Sequence, residues 1–174
     1  MVVAGFLGKL GRLSHRHECD LRNSSTVRIR AADLGDVAGV TTCVCAAYQR
    51  YIERIGKQPG PMLEDYSKVI REHHVYVAER DGSLLGALVL VDTNEGLLID
   101  NVAVDPSSQG MGIGRLLLEF AEAEARRCGL HSIYLSTNEK MTENQALYSR
   151  IGYVAFDHRI VNGYPRVFMR KQLP

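Results

Sequence analysis

The sequence predicts an α/β (α+β) domain: a mixed, mostly antiparallel central sheet of about seven strands, flanked by helices on both faces. Three observations predict it. Strand-like runs outnumber helix-like ones, in the order β-α-α-β-β-β-α-β-α-β-β. The dipeptides Asp81-Gly82 and Asn162-Gly163 mark two-residue hairpin turns, which join antiparallel neighbours. The hairpins flank one strand-helix-strand crossover, and that combination gives a mixed sheet.

Each element has a local reason. Thr26 to Arg30 reads as the first strand, ending at Ala31-Ala32-Asp33. A helix follows from Leu34 to Ile55, with Val37, Val40, Val44 and Tyr48 near helical spacing. Two prolines and two glycines make residues 56–61 a loop. Met62 to His73 reads as a second short helix. Val75 to Glu79 and Leu84 to Val91 form a hairpin across Asp81-Gly82, and Asn94-Glu95-Gly96 turns the chain into the strand Leu97 to Val104. From Arg115 to Cys128 the chain is amphipathic, with Leu116, Leu117, Phe120 and Ala121 continuing a stripe from Ile113, and Gly129 stops it. Ile133 to Ser136 is a strand. Thr142-Glu143-Asn144-Gln145 reads as a capping box that opens a helix ending at Gly152. Tyr153 to Val161 and Tyr164 to Lys171 form the last hairpin.

With 174 residues, the chain is long enough for one domain with a proper core. Residues 26–174 read as that single domain, and residues 1–25 as an N-terminal extension. Its first part is basic and lacks acids, a pattern shared by flexible tails, transit peptides and surface helices. A net charge of +1 gives no global field towards nucleic acid or membrane. Cys19, Cys43, Cys45 and Cys128 lack metal-ligand spacing and read as free thiols. That suits a reducing compartment, so a cytoplasmic location is expected. No apolar run reaches transmembrane length. No metal, nucleic acid or membrane partner is expected.

The chemistry concentrates at Gln109-Gly110-Met111-Gly112-Ile113-Gly114, between a strand and a helix. Alternating glycines let backbone N–H groups converge where side chains would block a ligand. The unpaired N–H groups of the helix start point to the same spot, which suits phosphate. A P-loop would need Gly-Lys-Ser/Thr, where Arg115-Leu116 stands, and a dinucleotide fingerprint would need glycine where Arg115 stands. What remains, Gln-x-x-Gly-x-Gly, resembles the acetyl-CoA pyrophosphate loop of the GNAT N-acetyltransferases.

A second motif strengthens the resemblance. Asn144, Ala146, Tyr148, Gly152 and Tyr153 match, in order, that family's Asn-x-Ala-x-x-Tyr…Gly-Phe/Tyr helix. The resemblance covers about Thr26 to Leu173. It implies acetyl-CoA as co-substrate and acetyl transfer to a primary amine of a small molecule or an exposed peptide or protein. It also implies a residue-by-residue site. Backbone N–H groups of Met111, Gly112, Gly114 and Arg115 would cradle the pyrophosphate, along the loop that includes Gly110 and Ile113, with Gln109 positioning it. The strand Val102-Ala103-Val104 would pair with pantetheine, and an N–H near Val102 would polarise the thioester carbonyl. Arg115 or Lys140 would meet nucleotide phosphates or remain a surface charge. Asn144 and Tyr148, four apart, share a helix face. Tyr148 would protonate the departing sulfur, and Asn144 would bind pantetheine, order a water or cap its helix. The implied assembly is a homodimer, although no single stripe marks an interface.

Asp100 is the first candidate for the base, acting through a water; Asn101, next along the strand, is expected on the opposite face. Acceptor choice is expected near Tyr48, Tyr51, Arg54, Met62, Tyr66 and Tyr164, with Glu53, Glu64 or Asp65 available to hold a cationic acceptor. The stretch from Tyr51 to Met62 resembles a bacterial subgroup of the family. Two rivals stay open: a non-catalytic CoA-binding sensor or interaction module, and an acyltransferase using a larger acyl group.

Overall fold

A computed structural model describes residues 26–174. The expected extension 1–25, including Cys19, lies outside the described residues. Seven strands form one sheet: β1 (Arg28–Ala31), β2 (His74–Arg80), β3 (Ser83–Thr93), β4 (Gly96–Val104), β5 (Ser132–Asn138), β6 (Val154–Val161) and β7 (Tyr164–Gln172), in spatial order β1-β2-β3-β4-β5-β7-β6. Among these, only β4 and β5 pair in parallel; every other pair is antiparallel. The expected mixed sheet is the one found.

Five α-helices accompany it: α1 (Val37–Tyr48), α2 (Ile52–Ile55), α3 (Tyr66–Glu72), α4 (Ile113–Arg127) and α5 (Thr142–Arg150). Two apolar layers separate on the two faces of the sheet. One gathers Ile113, Leu117, Leu118, Ala121 and Ala125 of α4 with Tyr148 and Tyr153 against Leu88, Ile99, Val102 and Leu135. The other gathers Val40, Val44, Tyr48 and Tyr51 with Tyr66 against Val77, Val89, Leu98 and Phe168. Strand alternation feeds one face and then the other, which is why β3 and β4 are buried almost throughout.

Two boundaries and one cap differ from the sequence reading. The long helix expected over residues 34–55 is broken by a 3-10 turn at Gln49–Tyr51, and α2 stops at Gly56 with φ 87°. The helix expected from Met62 begins only at Tyr66, because Asp65 caps it, accepting from the N–H groups of Ser67 and Lys68. The capping box at Thr142 does not form. Helix α5 begins at Thr142 itself, Met141 precedes it without a side-chain cap, and Gln145 Nε2 donates instead to the Glu139 carbonyl at 2.8 Å. A preceding turn, in which Asn138 accepts from the Lys140 N–H, delivers the chain into the helix.

Candidate active site

The site is built where β4 and β5 part. They pair only through Leu97/Ile133, Leu98/Tyr134 and Ile99/Leu135. Beyond those positions β4 runs on from Asp100 to Val104 with β3 as its one ladder partner, while Ser136–Asn138 pair with β7. One edge of Asp100–Val104 is thereby left open inside the domain, where an extended ligand can complete a ladder.

A bulge starts this divergence. Leu90 faces Ile99 and Val89 faces Asn101, so Asp100 is the additional residue on β4. Bulges bend a strand and re-aim its side chains. The expected opposition of Asp100 and Asn101 is overturned here. Asn101 accepts from the Tyr48 hydroxyl at 3.1 Å and donates to the Tyr66 hydroxyl at 2.9 Å. Asp100 acts on the same two phenols, and with burial its charge raises their pKa well above the ordinary value.

The glycine loop lies at the end of the open edge. Gln109 Nε2 donates to the Val104 carbonyl at 3.2 Å, tying loop to strand. Gly110 and Gly112 both have φ 81°, a conformation that costs an L side chain about 1–2 kcal/mol. No side chain caps the start of α4, so its first N–H groups are available to an anion. The Ile113 side chain is buried in the core, leaving only its backbone for the loop. Arg115 is paired with Glu119 at 2.7 Å on the surface, and Lys140 Nζ reaches the Ile55 carbonyl at 3.5 Å. Gly86 sets the helix against the sheet: a Cβ there would meet the Ala103 carbonyl oxygen at 2.8 Å.

Tyr148 on α5 packs in the same apolar layer as Val102, Val104 and Ile113. Its side chain is fully buried, and its hydroxyl has no hydrogen-bonding partner among the described residues. Its ring packs edge-on against Tyr153 with centroids 6.0 Å apart. Burial, followed by Tyr153 and Tyr51, raises its pKa well above the ordinary phenol range. Asn144 is buried on the same helix and accepts a long 3.5 Å contact from the Tyr51 hydroxyl, itself met by Arg50 at 2.6 Å.

Residues 56–64 pack against the last hairpin, where acceptor choice is expected. Tyr164 donates to the Gln58 carbonyl at 2.6 Å, and Lys57 Nζ donates to the Gly163 carbonyl at 3.0 Å while lying over the Tyr164 ring. Arg54 pairs with Glu143. Of the three carboxylates expected to hold an acceptor, Asp65 is occupied as a helix cap and Glu53 is exposed on α2. Glu64 is half-buried, and burial raises its pKa against the opposing charges of Lys68 and Arg166.

Arg166 is the principal residue that sequence reasoning missed. It is buried on β7, 3.4 Å from the Ser136 hydroxyl. Burial lowers its pKa, while Tyr48, Asp100, Tyr164 and Glu64 oppose that shift. Strand alternation could have found it: Arg166 shares a face with Phe168, whose side chain is in the core.

Among the described residues, no group of three or more His, Cys, Asp or Glu side chains is arranged to hold a metal. Cys43 is buried, which pushes its thiol up to about 12. No described helix is long and apolar enough to cross a membrane.

A split parallel pair, a glycine loop at the start of α4 and a buried phenol are the features that the resemblance leads one to expect of an acyl-CoA site. The chain belongs to the acetyltransferase (GNAT) family, whose family model matches residues 21–153. An IAA acetyltransferase of Azospirillum brasilense is 37% identical over 79 residues, covering 44% of this chain and 52% of that protein. The matches to curated relatives span about half of their length or less. Among solved structures, an IAA acetyltransferase from Bacillus cereus superposes with a TM-score of 0.63 at 22% identity, covering 85% of this chain and all of the other. A GNAT acetyltransferase from Elizabethkingia anophelis with acetyl-CoA bound gives a TM-score of 0.62 at 18% identity, covering 84% and 98%. These two structural likenesses establish the fold.

Proposed function

We propose that this protein transfers an acetyl group from acetyl-CoA to a primary amine of a small molecule or of an exposed peptide or protein. The observation that carries the proposal is the Tyr148 hydroxyl, buried without a partner among the described residues in the apolar layer that also holds Val102 and Val104. An unpartnered buried hydroxyl is costly, and a bound ligand would supply the partner it lacks.

The residues fit an acyl-CoA substrate. The backbone around Met111–Arg115 receives the pyrophosphate, and the open edge through Val102, Ala103 and Val104 receives pantetheine. The amine nitrogen attacks the thioester carbon, and a β4 N–H near Val102 stabilises the developing oxyanion. The C–S bond then breaks, the sulfur keeps the electron pair, and Tyr148 donates a proton to it. Tyr148 regains a proton through the groove that the ligand opens as CoA leaves, because its hydroxyl has no solvent contact otherwise. Proton transfer from a phenol to a thiolate is uphill by at least about 1.5 pKa units, or ~2 kcal/mol, so a hydrogen bond that strengthens as sulfur leaves is the main benefit. Asn144 holds the substrate arm beside Tyr148.

Attack needs a neutral amine, so a carboxylate must take a proton from the ammonium. Asp100 and Glu64 are the two available. Burial raises the Glu64 pKa towards the range a base needs, and Glu64 keeps contact with solvent, whereas Asp100 is buried. Glu64 therefore takes the proton, and Asp100 attracts the ammonium, directly or through a water.

Calorimetric titration with acetyl-CoA, followed by a panel of primary amines with detection of released thiol, tests the reading. Failure to bind acetyl-CoA at sub-millimolar concentration overturns it. Tight binding with no thiol released by any amine favours a CoA-binding sensor instead.

A further inference from the structure

What covers the proposed site constrains the amine that can enter it. Asp100, Asn101, Asn144, Tyr148 and Arg166 come from two strands and a helix, and none is more than 5% exposed. Residues 57–61 lie over part of this group. A Cβ on Gly60 would stand 3.7 Å from the Arg166 guanidinium. Pro61 is buried, and its carbonyl accepts from the Tyr66 hydroxyl at 3.0 Å. This strap is fastened on two sides. At the last hairpin, the Tyr164 hydroxyl holds the Gln58 carbonyl at 2.6 Å and Lys57 holds the Gly163 carbonyl at 3.0 Å. Just before the strap, Arg54 meets Glu143 of α5 at 2.7 Å, and Lys140 reaches the Ile55 carbonyl. Pro59 and Pro61 fix φ on either side of Gly60, which stiffens the segment further. A peptide or protein amine brings a backbone that needs an open groove, and groups this buried do not present one.

The charges around Arg166 set a second limit. Asp100 and Glu64 both act on its single guanidinium, so two carboxylates face one cation. A primary ammonium brings the balancing positive charge. A carboxylate on the acceptor would be a third anion sharing that cation, and burying an unbalanced anion is costly. We infer, resting on the acetyl transfer proposed for this site, that its acceptor is a small primary amine without a carboxylate, and that the strap of residues 57–61 excludes peptides and proteins. Lys57, Gln58 and Tyr164 are then positioning residues, which hold the strap over the groups that meet the amine.

Steady-state thiol release from acetyl-CoA with four acceptors tests the inference. They are butylamine, norvaline (butylamine carrying an α-carboxylate), a short peptide with a free N-terminus, and an N-acetylated peptide with one lysine, both peptides amidated. The full-length wild type is expected to give butylamine a kcat/KM at least about tenfold above norvaline and about a hundredfold above either peptide. Lys57→Ala with Tyr164→Phe removes both fastenings at the hairpin. That double variant is expected to narrow the peptide gap at least about tenfold with unchanged acetyl-CoA affinity. Glu64→Gln removes one of the two anions. Losing the proposed base lowers both rates, but the norvaline-to-butylamine ratio is expected to rise at least about fivefold. A wild type that uses norvaline or a peptide as well as butylamine overturns the inference and leaves acetyl transfer standing. So does a peptide gap that the double variant leaves unchanged, or a norvaline ratio that Glu64→Gln leaves unchanged, when circular dichroism shows the variants folded. Acetyl-CoA binding with no thiol released by any amine overturns the transfer itself, and the inference with it.

Discussion

Tyr148→Phe should raise stability and lower activity together. The phenyl ring keeps its packing against Tyr153, because only the hydroxyl is lost. That hydroxyl is fully buried and has no partner among the described residues. Leaving a buried polar group unsatisfied costs about 1–3 kcal/mol, so its removal should return a similar amount. For a domain of this size each kcal/mol moves Tm by about 2–4 °C, giving an expected rise of roughly 3–10 °C. Loss of the proton donor should lower kcat by about 10²-fold, with little change in acetyl-CoA affinity. The raised pKa of Tyr148 keeps it protonated through the neutral range, so it should produce no alkaline decline in rate below about pH 10. Thermal unfolding by circular dichroism and thiol release under saturating substrate supply the two readouts. An unchanged or lower Tm with near-wild-type turnover would refute both the orphaned hydroxyl and its chemical role.

Glu64→Gln should flatten the acidic limb of the pH–rate profile. Its carboxyl is raised by burial, so the wild-type limb should lie above the ordinary carboxylate value, with activity rising as pH passes it; an identical limb in the variant returns the base role to Asp100. Gly112→Ala places a side chain at φ 81° in the proposed phosphate cradle and should weaken acetyl-CoA binding about 5- to 30-fold by calorimetry for a strain near 1–2 kcal/mol. Gly86→Ala drives a Cβ into the Ala103 carbonyl and should lower stability in chemical denaturation by about 1–3 kcal/mol. Asp36→Asn removes the Arg30 pairing, led by its hydrogen bond, that depresses the Asp36 carboxyl. A depressed folded-state pKa adds stability above the unfolded value that is lost as pH falls, so the variant should be weaker by about 1 kcal/mol at pH 7 and converge with wild type in acid.

The fold was legible because its signals are local. Alternation marks β2 and β3, Asp81-Gly82 and Asn162-Gly163 mark hairpins, and Gly129 ends α4. Both residues at Asp81 and Asn162 do adopt positive φ, as the turn chemistry requires. Boundaries failed where two local devices compete. Thr142 and Gln145 have capping-box spacing, but the turn from Asn138 to Met141 already leads into α5, so Gln145 is used on Glu139 instead. The helix read through Tyr51 breaks into a 3-10 turn, and Tyr51 on it meets Asn144, 93 positions later. A contact at that separation leaves no mark on local periodicity.

The glycine loop and Tyr148 are legible as motifs, whereas the proposed acceptor end depends on one residue of register. Period-two reasoning separates Asp100 from Asn101 across the sheet, and it is correct for a regular strand. The bulge defeats it by adding Asp100 between the partners of Leu90 and Val89. The same irregularity accompanies the parting of β4 from β5, which opens the edge that a substrate can occupy. It also sets a carboxylate near two buried phenols and Arg166. A regular strand would continue pairing with β5 and leave no room between them. The departure from strand periodicity that hid the placement of Asp100 beside Asn101 is therefore also what accompanies the opening of the proposed pantetheine edge.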